Sequence, residues 1–124
     1  MIDVELELES LIGAVVVEVG IRQTWLFVTL VDREGSGREI RLFVDTEFRV
    51  TMPDDLGSGS GGDDVGSAIQ ALAGILNMRV ASVEAGGDGL VVGFDEGAEL
   101  RVSNAASPWT THDVWWFGPV GPST

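Results

Sequence analysis

The order of apolar and polar residues in this chain occurs twice. Residues 75–83 repeat the pattern of residues 11–19 at an offset of 64 positions, and the match continues at this offset through residues 90–92. Residues 99–102 repeat residues 39–42 at an offset of 60, which makes the intervening turn four residues shorter in the second copy. A small β unit that recurs in this way packs its apolar face against its copy, because it cannot bury that face alone. The pattern therefore predicts two related β units.

Within the first copy, β-branched and aromatic residues mark three strands. These strands are predicted at residues 15–21, 25–31 and 38–44. The polar run at residues 32–37 has the composition of a hairpin loop. Residues 48–52 alternate again until Pro53 ends them, and we expect this fourth strand to close the first unit. Apolar residues alternate with glutamates at residues 4–8, which is the pattern of an upstream strand with one wet face and is equally compatible with a short edge or a partly frayed arm.

A glycine- and serine-rich tract separates the two copies. Its composition predicts a flexible linker over residues 54–62. Gly57, Gly59 and Gly62 match the spacing of a dinucleotide-binding loop, but no strand–helix–strand pattern surrounds them, and we interpret the match as chance. An amphipathic helix is predicted over residues 63–76, because its apolar residues recur at spacings of three and four.

The second copy is predicted over residues 77–118 and ends in a tryptophan-rich strand. Its other strands are predicted at residues 79–84, 90–94 and 99–102. The fold expected is α+β, mainly β, with two antiparallel β-meander repeats in pseudo-two-fold symmetry and one amphipathic helix between them. Residues 1–124 then form a single domain, in which the first repeat covers residues 11–53.

Charge extends the interpretation from architecture to partners. The chain has 20 acidic and 7 basic residues, a net charge of −13, and every basic residue is arginine. Because the arginines are scattered among carboxylates, direct nucleic-acid binding is disfavoured. A strongly acidic surface instead attracts a basic protein partner, although the same charge also serves solubility alone.

Composition further narrows the chemistry. The chain has no cysteine and one histidine, so we expect no disulfide, no zinc site and no cofactor. The longest apolar run, residues 14–17, is too short to span a bilayer. The first ten residues carry four acidic side chains and no basic one, unlike the start of a secretory signal, and we therefore expect a cytoplasmic protein.

The densest local signal lies near the C-terminus. The candidate protein-binding residues are Trp109, His112, Asp113, Trp115 and Trp116. In an extended strand Trp115 and Trp116 point to opposite faces, so that one packs in the core and the other turns toward solvent or a partner; the alternative is that both are covered. His112 beside Asp113 also suggests a hydrolase-like site, but the chain has no nucleophile elbow, and we expect no catalytic residue.

Motif residues along most of the chain carry a family resemblance. They are Leu11, Gly13, Val16 and Val19, then Phe94, Asp95, Gly97, Leu100 and Val102, and finally Trp115, Gly118 and Pro119. In these positions the chain resembles a family of small actinobacterial proteins of unknown function, domain of unknown function 6188. The resemblance implies a β-rich fold without an established activity. Similar small β-rich proteins occur as immunity proteins beside toxins, an analogy of class only.

These features predict a non-catalytic, acidic protein-binding module, with an immunity-type inhibitor of a basic toxin or nuclease as its specific form. One alternative is a structural or self-associating domain, in which an exposed edge strand pairs across a two-fold axis to give a homodimer. A hydrolase-like site around His112 is the other.

Overall fold

The computed structural model describes residues 8, 11–22, 25–32, 39–53, 59–61, 65–108, 110 and 114–119. In this part of the chain the fold is mainly β, with two antiparallel sheets and one helix. The strands are β1 (Val15–Arg22), β2 (Trp25–Val31), β3 (Glu39–Val44), β4 (Phe48–Thr51), β5 (Gly59–Gly61), β6 (Val80–Gly86), β7 (Gly89–Phe94), β8 (Glu99–Ser103) and β9 (Trp115–Pro119). The helix is α1 (Val65–Ala73). The predicted mainly β class is confirmed.

Both sheets and the helix share one hydrophobic core. The first sheet has the strand order β1–β2–β3–β9, and the second has the order β5–β4–β8–β7–β6. Alternate residues of β3, β4, β7 and β8 turn inward, as the two-residue period of a strand requires. The core joins Val28 and Leu42 of the first sheet, Leu90 and Leu100 of the second sheet, and Leu72 of α1, each no more than 1% exposed.

A short antiparallel ladder connects the two sheets. It consists of four backbone hydrogen bonds: Gly13 N–H to Val80 C=O, Asn77 N–H to Val16 C=O, Val16 N–H to Met78 C=O, and Val80 N–H to Ala14 C=O, all between 2.7 and 2.9 Å. The first bond becomes the second when 64 is added to the number of its donor residue and subtracted from the number of its acceptor residue, and the third and fourth bonds are related by the same offset. The two similar segments 11–19 and 75–83 therefore bond to each other.

The turn before each half of this ladder has the same backbone conformation. Gly13 has φ of 92° and Asn77 has φ of 70°. Positive φ is easy for glycine and tolerated by asparagine, because a short polar side chain fits the left-handed region better than a bulkier one. This explains how Asn77 occupies the place that Gly13 has in the first copy.

The pairing of the first two strands has the same register in both sheets. The third strands also pair alike, but at a different offset from the one expected. β1 pairs with β2 and β6 with β7 at equivalent positions, and each pair has an irregularity at the same point, at Val16/Glu18 and Val80/Ser82. Across the next pairs, residue 28 faces residue 42 and residue 92 faces residue 100. The third strands thus correspond at an offset of 58. The expected offset of 60 is wrong by two residues, an error that the sequence hides because a two-residue shift keeps every side chain on its face.

Strands β4 and β9 each pair in a sheet other than the expected one. We expected β4 to close the first unit, but Phe48 pairs with Val102 of the second sheet. The tryptophan-rich strand β9, expected in the second repeat, pairs with β3 of the first sheet, with Phe117 opposite Leu42. β4 therefore belongs to the second sheet and β9 to the first.

Part-buried hydrogen bonds join the connection between β3 and β4 to the connection between β8 and β9. Asp45 and Thr46 lead from β3 to β4 and are only 6% and 3% exposed. Thr46 donates its hydroxyl to the Ala105 carbonyl at 2.5 Å, and Thr110 donates its hydroxyl to the Asp45 carbonyl at 2.6 Å. The Asp45 N–H donates to the carbonyl of Val114 at 2.9 Å. These bonds satisfy the polar groups of the nearly buried Asp45 and Thr46 and link the segment between β3 and β4 to the segment between β8 and β9.

Three expectations for the middle and start of the chain change. Residues 59–61 of the predicted flexible linker form β5, which pairs with β4; the rest of that tract lies outside the described residues. The helix α1 ends at Ala73 rather than at the expected residue 76, and Leu76 is 36% exposed after it, while Ile75 is fully buried; residues 63 and 64 lie outside the described residues. Of the strand expected at residues 4–8, only Leu8 is described, and it is buried in a helical conformation.

Candidate binding face on the first sheet

The outer face of the first sheet carries four aromatic side chains. Strand alternation points Trp25 and Phe27 of β2 outward, and the register places Phe43 of β3 beside Phe27 and Trp116 of β9 beside Phe43. We call Trp25, Phe27, Phe43 and Trp116 the outer aromatic cluster. Three neighbouring strands thus supply one continuous apolar patch.

Ring geometry shows that the cluster is packed rather than scattered. The rings of Phe43 and Trp116 stack, with centroids 5.3 Å apart and planes 14° apart. Trp25 meets Trp116 edge to face at 5.2 Å, and Phe27 meets Phe43 edge to face at 6.2 Å. Stacked and edge-to-face pairs are the favoured arrangements of aromatic quadrupoles, each contributing about 1 kcal/mol beyond the area it buries. The patch is therefore ordered before any partner arrives.

Two glycines make room for the rings. A Cβ atom on Gly20 would lie 3.0 Å from Cζ of Phe27, and a Cβ atom on Gly118 would lie 3.3 Å from Cε2 of Phe43. The rings therefore lie over glycine backbone in the neighbouring strand, an arrangement that covers a backbone with no side chain of its own.

The four rings differ in exposure. Phe27 is buried, with 6% of its surface exposed, whereas Trp25, Phe43 and Trp116 are half-buried. Phe27 is thus the base of the cluster, and the other three rings offer apolar surface to solvent. Partly exposed, pre-packed tryptophan and phenylalanine are the side chains that anchor many protein interfaces.

A polar network borders the cluster. Thr29, only 1% exposed, donates its hydroxyl to Oε1 of Glu18 at 3.1 Å and accepts the Nε–H of Arg41 at 3.2 Å. Arg41 also forms an ion pair with Glu18 at 3.3 Å, and its guanidinium carbon lies 4.1 Å from the centroid of the Phe27 ring. The arginine is therefore held by a carboxylate and by a cation–π contact at once. Glu18 keeps 51% of its side chain exposed at the margin of the patch.

The two adjacent tryptophans point to opposite faces, as predicted. Trp115 packs against the core beside Phe117, with ring centroids 5.9 Å apart, and its indole N–H donates to Oδ1 of Asn104 at 2.9 Å. Trp116 joins the outer aromatic cluster. Of the five candidate residues, Trp109, His112 and Asp113 lie outside the described residues, and the hydrolase-like site around His112 stays a prediction.

Sequence reasoning missed Trp25, Phe27 and Phe43 as members of the site. The available signal was that strand β2 is apolar on both faces. A strand with one face in water instead alternates apolar and polar residues. These rings lie close to Trp116 because β3 pairs with β9, and no local sequence pattern reveals that pairing.

Metal binding and membrane insertion find no support within the described residues. No three carboxylate or imidazole side chains there come together as a metal site. No helix in the same part of the chain is long and apolar enough to cross a membrane. Comparison of the whole chain with protein-family models, curated proteins and solved structures finds no match.

Proposed function

We propose that this protein is a non-catalytic binding module whose outer aromatic cluster docks a protein with a basic surface. The observation that carries the proposal is the cluster itself: three partly exposed rings pack against one another on a regular sheet, and one of them, Phe43, also packs against the buried ring of Phe27. A rigid aromatic patch loses little conformational entropy on binding, so more of its contact energy appears as affinity.

The chemistry of the partner follows from charge. A net charge of −13 attracts cationic proteins over long range and raises their association rate at low ionic strength. Glu18 places one exposed carboxylate at the margin of the cluster. A cytoplasmic inhibitor that masks a basic toxin or nuclease, as an immunity protein does, combines an apolar anchor with a strongly negative overall charge, and this is the specific form we propose. The resemblance to domain of unknown function 6188 agrees with this class and names no partner.

We also propose that the scaffold is an internal duplication with pseudo-two-fold symmetry. Its support is the inter-sheet ladder, whose hydrogen bonds correspond at an offset of 64, and the positive φ of Gly13 and Asn77 at equivalent places. In this arrangement the two halves exchange their fourth strands, β4 and β9. The exchange gives the binding face its last ring, since Trp116 comes from the opposite half of the chain.

A capture experiment with matched variants tests the binding function. The wild-type protein, Trp116→Ala, Phe43→Ala and the control Val91→Ala on the second sheet are immobilised and exposed to a lysate of the source organism at low and raised salt. We expect one basic protein, identified by mass spectrometry, to be held by the wild type and by Val91→Ala at low salt and lost from both aromatic variants.

Purified partner then gives the size of the effect. We expect roughly 30-fold or weaker binding for Trp116→Ala, the range of an interface anchor. Equal binding by Trp116→Ala and the wild type, with both variants folded by circular dichroism, would exclude the cluster as the binding face. Light scattering at several concentrations identifies self-association, the alternative in which this face binds a second copy.

A further inference from the structure

The outer face of the second sheet contains an open hollow where the first sheet has its aromatic rings. Its volume is about 500 Å³. The side chains that turn outward around it belong to Glu47, Arg49, Asp88, Val91, Arg101 and Ser103, while the neighbouring residues Phe48, Leu90 and Val102 turn into the core. This volume lies within the range of small-molecule sites, roughly 300 to 1,000 Å³.

Two arginines stand side by side in this hollow. Arg49 of β4 is paired directly with Arg101 of β8. Side chains directly opposite in an antiparallel pair have Cβ atoms about 5 Å apart, and like charges in this position repel. Only seven arginines occur in a chain of net charge −13, so two of them at one cross-strand position form a local exception to its acidic character.

The guanidinium groups keep most of their hydrogen-bonding capacity. Arg101 donates its Nε–H to Oε1 of Glu99 at 2.5 Å, which orients the guanidinium group. Its two terminal NH₂ groups remain for a ligand, and its side chain is 61% exposed. Within the described residues no ion pair involves Arg49. Paired guanidinium forks match the planar geometry of a carboxylate, and an anion between them removes the repulsion.

Acidic side chains line the hollow as well. Glu47 precedes β4, and Asp88 lies in the turn between β6 and β7; both are exposed. The four charged residues Glu47, Arg49, Asp88 and Arg101 sum to zero, and Glu99, the ion-pair partner of Arg101, adds one negative charge beside them, so a simple anion satisfies only part of the lining. A ligand with one carboxylate and one ammonium group is complementary to both signs.

Backbone sterics prevent a side chain from closing the hollow at one point. Gly89 has φ of 137°, and a Cβ atom there would lie 1.9 Å from the carbonyl oxygen of Val102. The equivalent position of the first sheet, by register, is Trp25. The second sheet is therefore restricted to glycine where the first sheet fills the same place with an indole.

From this geometry we propose that the hollow binds a small zwitterion of amino-acid type, with its carboxylate between Arg49 and Arg101 and its ammonium group toward Glu47 and Asp88. This site is separate from the outer aromatic cluster, and it neither needs nor tests the protein-binding function.

Titration of the full-length protein with ω-amino acids of increasing length, from 3-aminopropanoate to 6-aminohexanoate, tests this site by ¹H–¹⁵N NMR. We expect the backbone amide signals of Gly89, Val91 and Arg101 to shift saturably with at least one length. Hexanoate and hexylamine, which each carry one of the two charges, should bind at least roughly tenfold more weakly, because each loses one set of charge-assisted contacts.

Arg49→Gln and Arg101→Gln should each weaken binding of the best probe by roughly tenfold. Arg22→Gln, at an exposed arginine of the first sheet, is the matched control and should leave binding unchanged. The proposal is overturned if no probe gives saturable shifts up to about 10 mM, a concentration on the order of the weakest useful dissociation constant. Binding of hexanoate as tight as that of the best ω-amino acid also overturns it. So does unchanged binding of that probe by both Arg49→Gln and Arg101→Gln.

Discussion

The inner faces of the two sheets are both apolar, whereas their outer faces differ in chemical character. The central row of the first sheet reads Gly20, Phe27, Phe43 and Trp116 across β1, β2, β3 and β9. The row in the same register of the second sheet reads Glu84, Val91, Arg101 and Arg49 across β6, β7, β8 and β4. One row is aromatic and the other is charged, on backbones with the same pairing.

This difference separates what folds the protein from what it displays. Positions that turn inward are apolar in both sheets because they fill one shared core. Outward positions are not bound by that demand, and they differ between the two sheets. We infer that the inner rows maintain the fold and that the two outer rows carry separate binding chemistry, apolar on the first sheet and ionic on the second.

The largest expected effect comes from Gly89→Ala, which places a side chain where the second sheet has room only for glycine. The new Cβ would overlap the Val102 carbonyl, and alanine disfavours the positive φ. We expect a loss of at least about 3 kcal/mol in the free energy of unfolding, measured in urea. Gly86→Ala, the residue opposite, meets open space and should cost less than about 1 kcal/mol. Equal losses for the two variants would contradict the steric argument.

Phe27→Ala should remove the base of the aromatic row. Phe27 is buried, covers Gly20 and lies beneath Arg41, so its removal leaves a void and an unsupported guanidinium. We expect a loss of about 3 kcal/mol in the free energy of unfolding. Val91→Ala at the equivalent place of the second sheet should cost about 1 kcal/mol, because that side chain is smaller and partly exposed. A similar cost at both positions would mean that the rows are not energetically different.

Thr29→Val tests the polar network beside the rings. Valine keeps the shape of threonine but leaves Nε of the nearly buried Arg41 without its acceptor. We expect a loss of about 1 kcal/mol in a urea titration. Thr29→Ser, which retains the hydroxyl, should recover about half of this loss. If serine and valine are equally destabilising, the hydroxyl contributes nothing measurable.

The smallest effect is expected for Arg49→Gln in the charged row. This arginine is exposed and stands opposite a like charge, so its removal should change the free energy of unfolding by no more than about 0.5 kcal/mol, toward higher stability at low salt. Unfolding at low and high ionic strength checks the sign, because salt screens the repulsion. A clear destabilisation would indicate that Arg49 supports the fold rather than a ligand.

Much of the strand content is readable from local pattern, and the failures have specific causes. β2 and β7 were found because their apolar residues form compact runs flanked by polar turns. The third-strand register was wrong because a shift of two residues preserves the alternation that sequence reasoning uses. β5 was missed because a glycine–serine tract has the composition of a linker, and only its pairing with β4 makes it a strand.

For the candidate site, sequence identified one of the four rings of the outer aromatic cluster. Trp116 stands out because tryptophan is rare and its neighbour Trp115 forces opposite orientations in a strand. Trp25, Phe27 and Phe43 do not stand out, because aromatic residues in a strand are most often core residues. Nothing in the local pattern separates a ring that fills the core from one that covers an outer face.

The sequence by itself determined the two related apolar patterns, the strand content and the excess of negative charge, because each of these depends on residues close together in the chain. Only the tertiary structure decided that β4 and β9 exchange sheets, and with them Arg49 and Trp116. That exchange places Trp116 on Phe43 and Arg49 beside Arg101. Strand pairing depends on contacts far apart in sequence and on burial of a shared core, which no local pattern encodes.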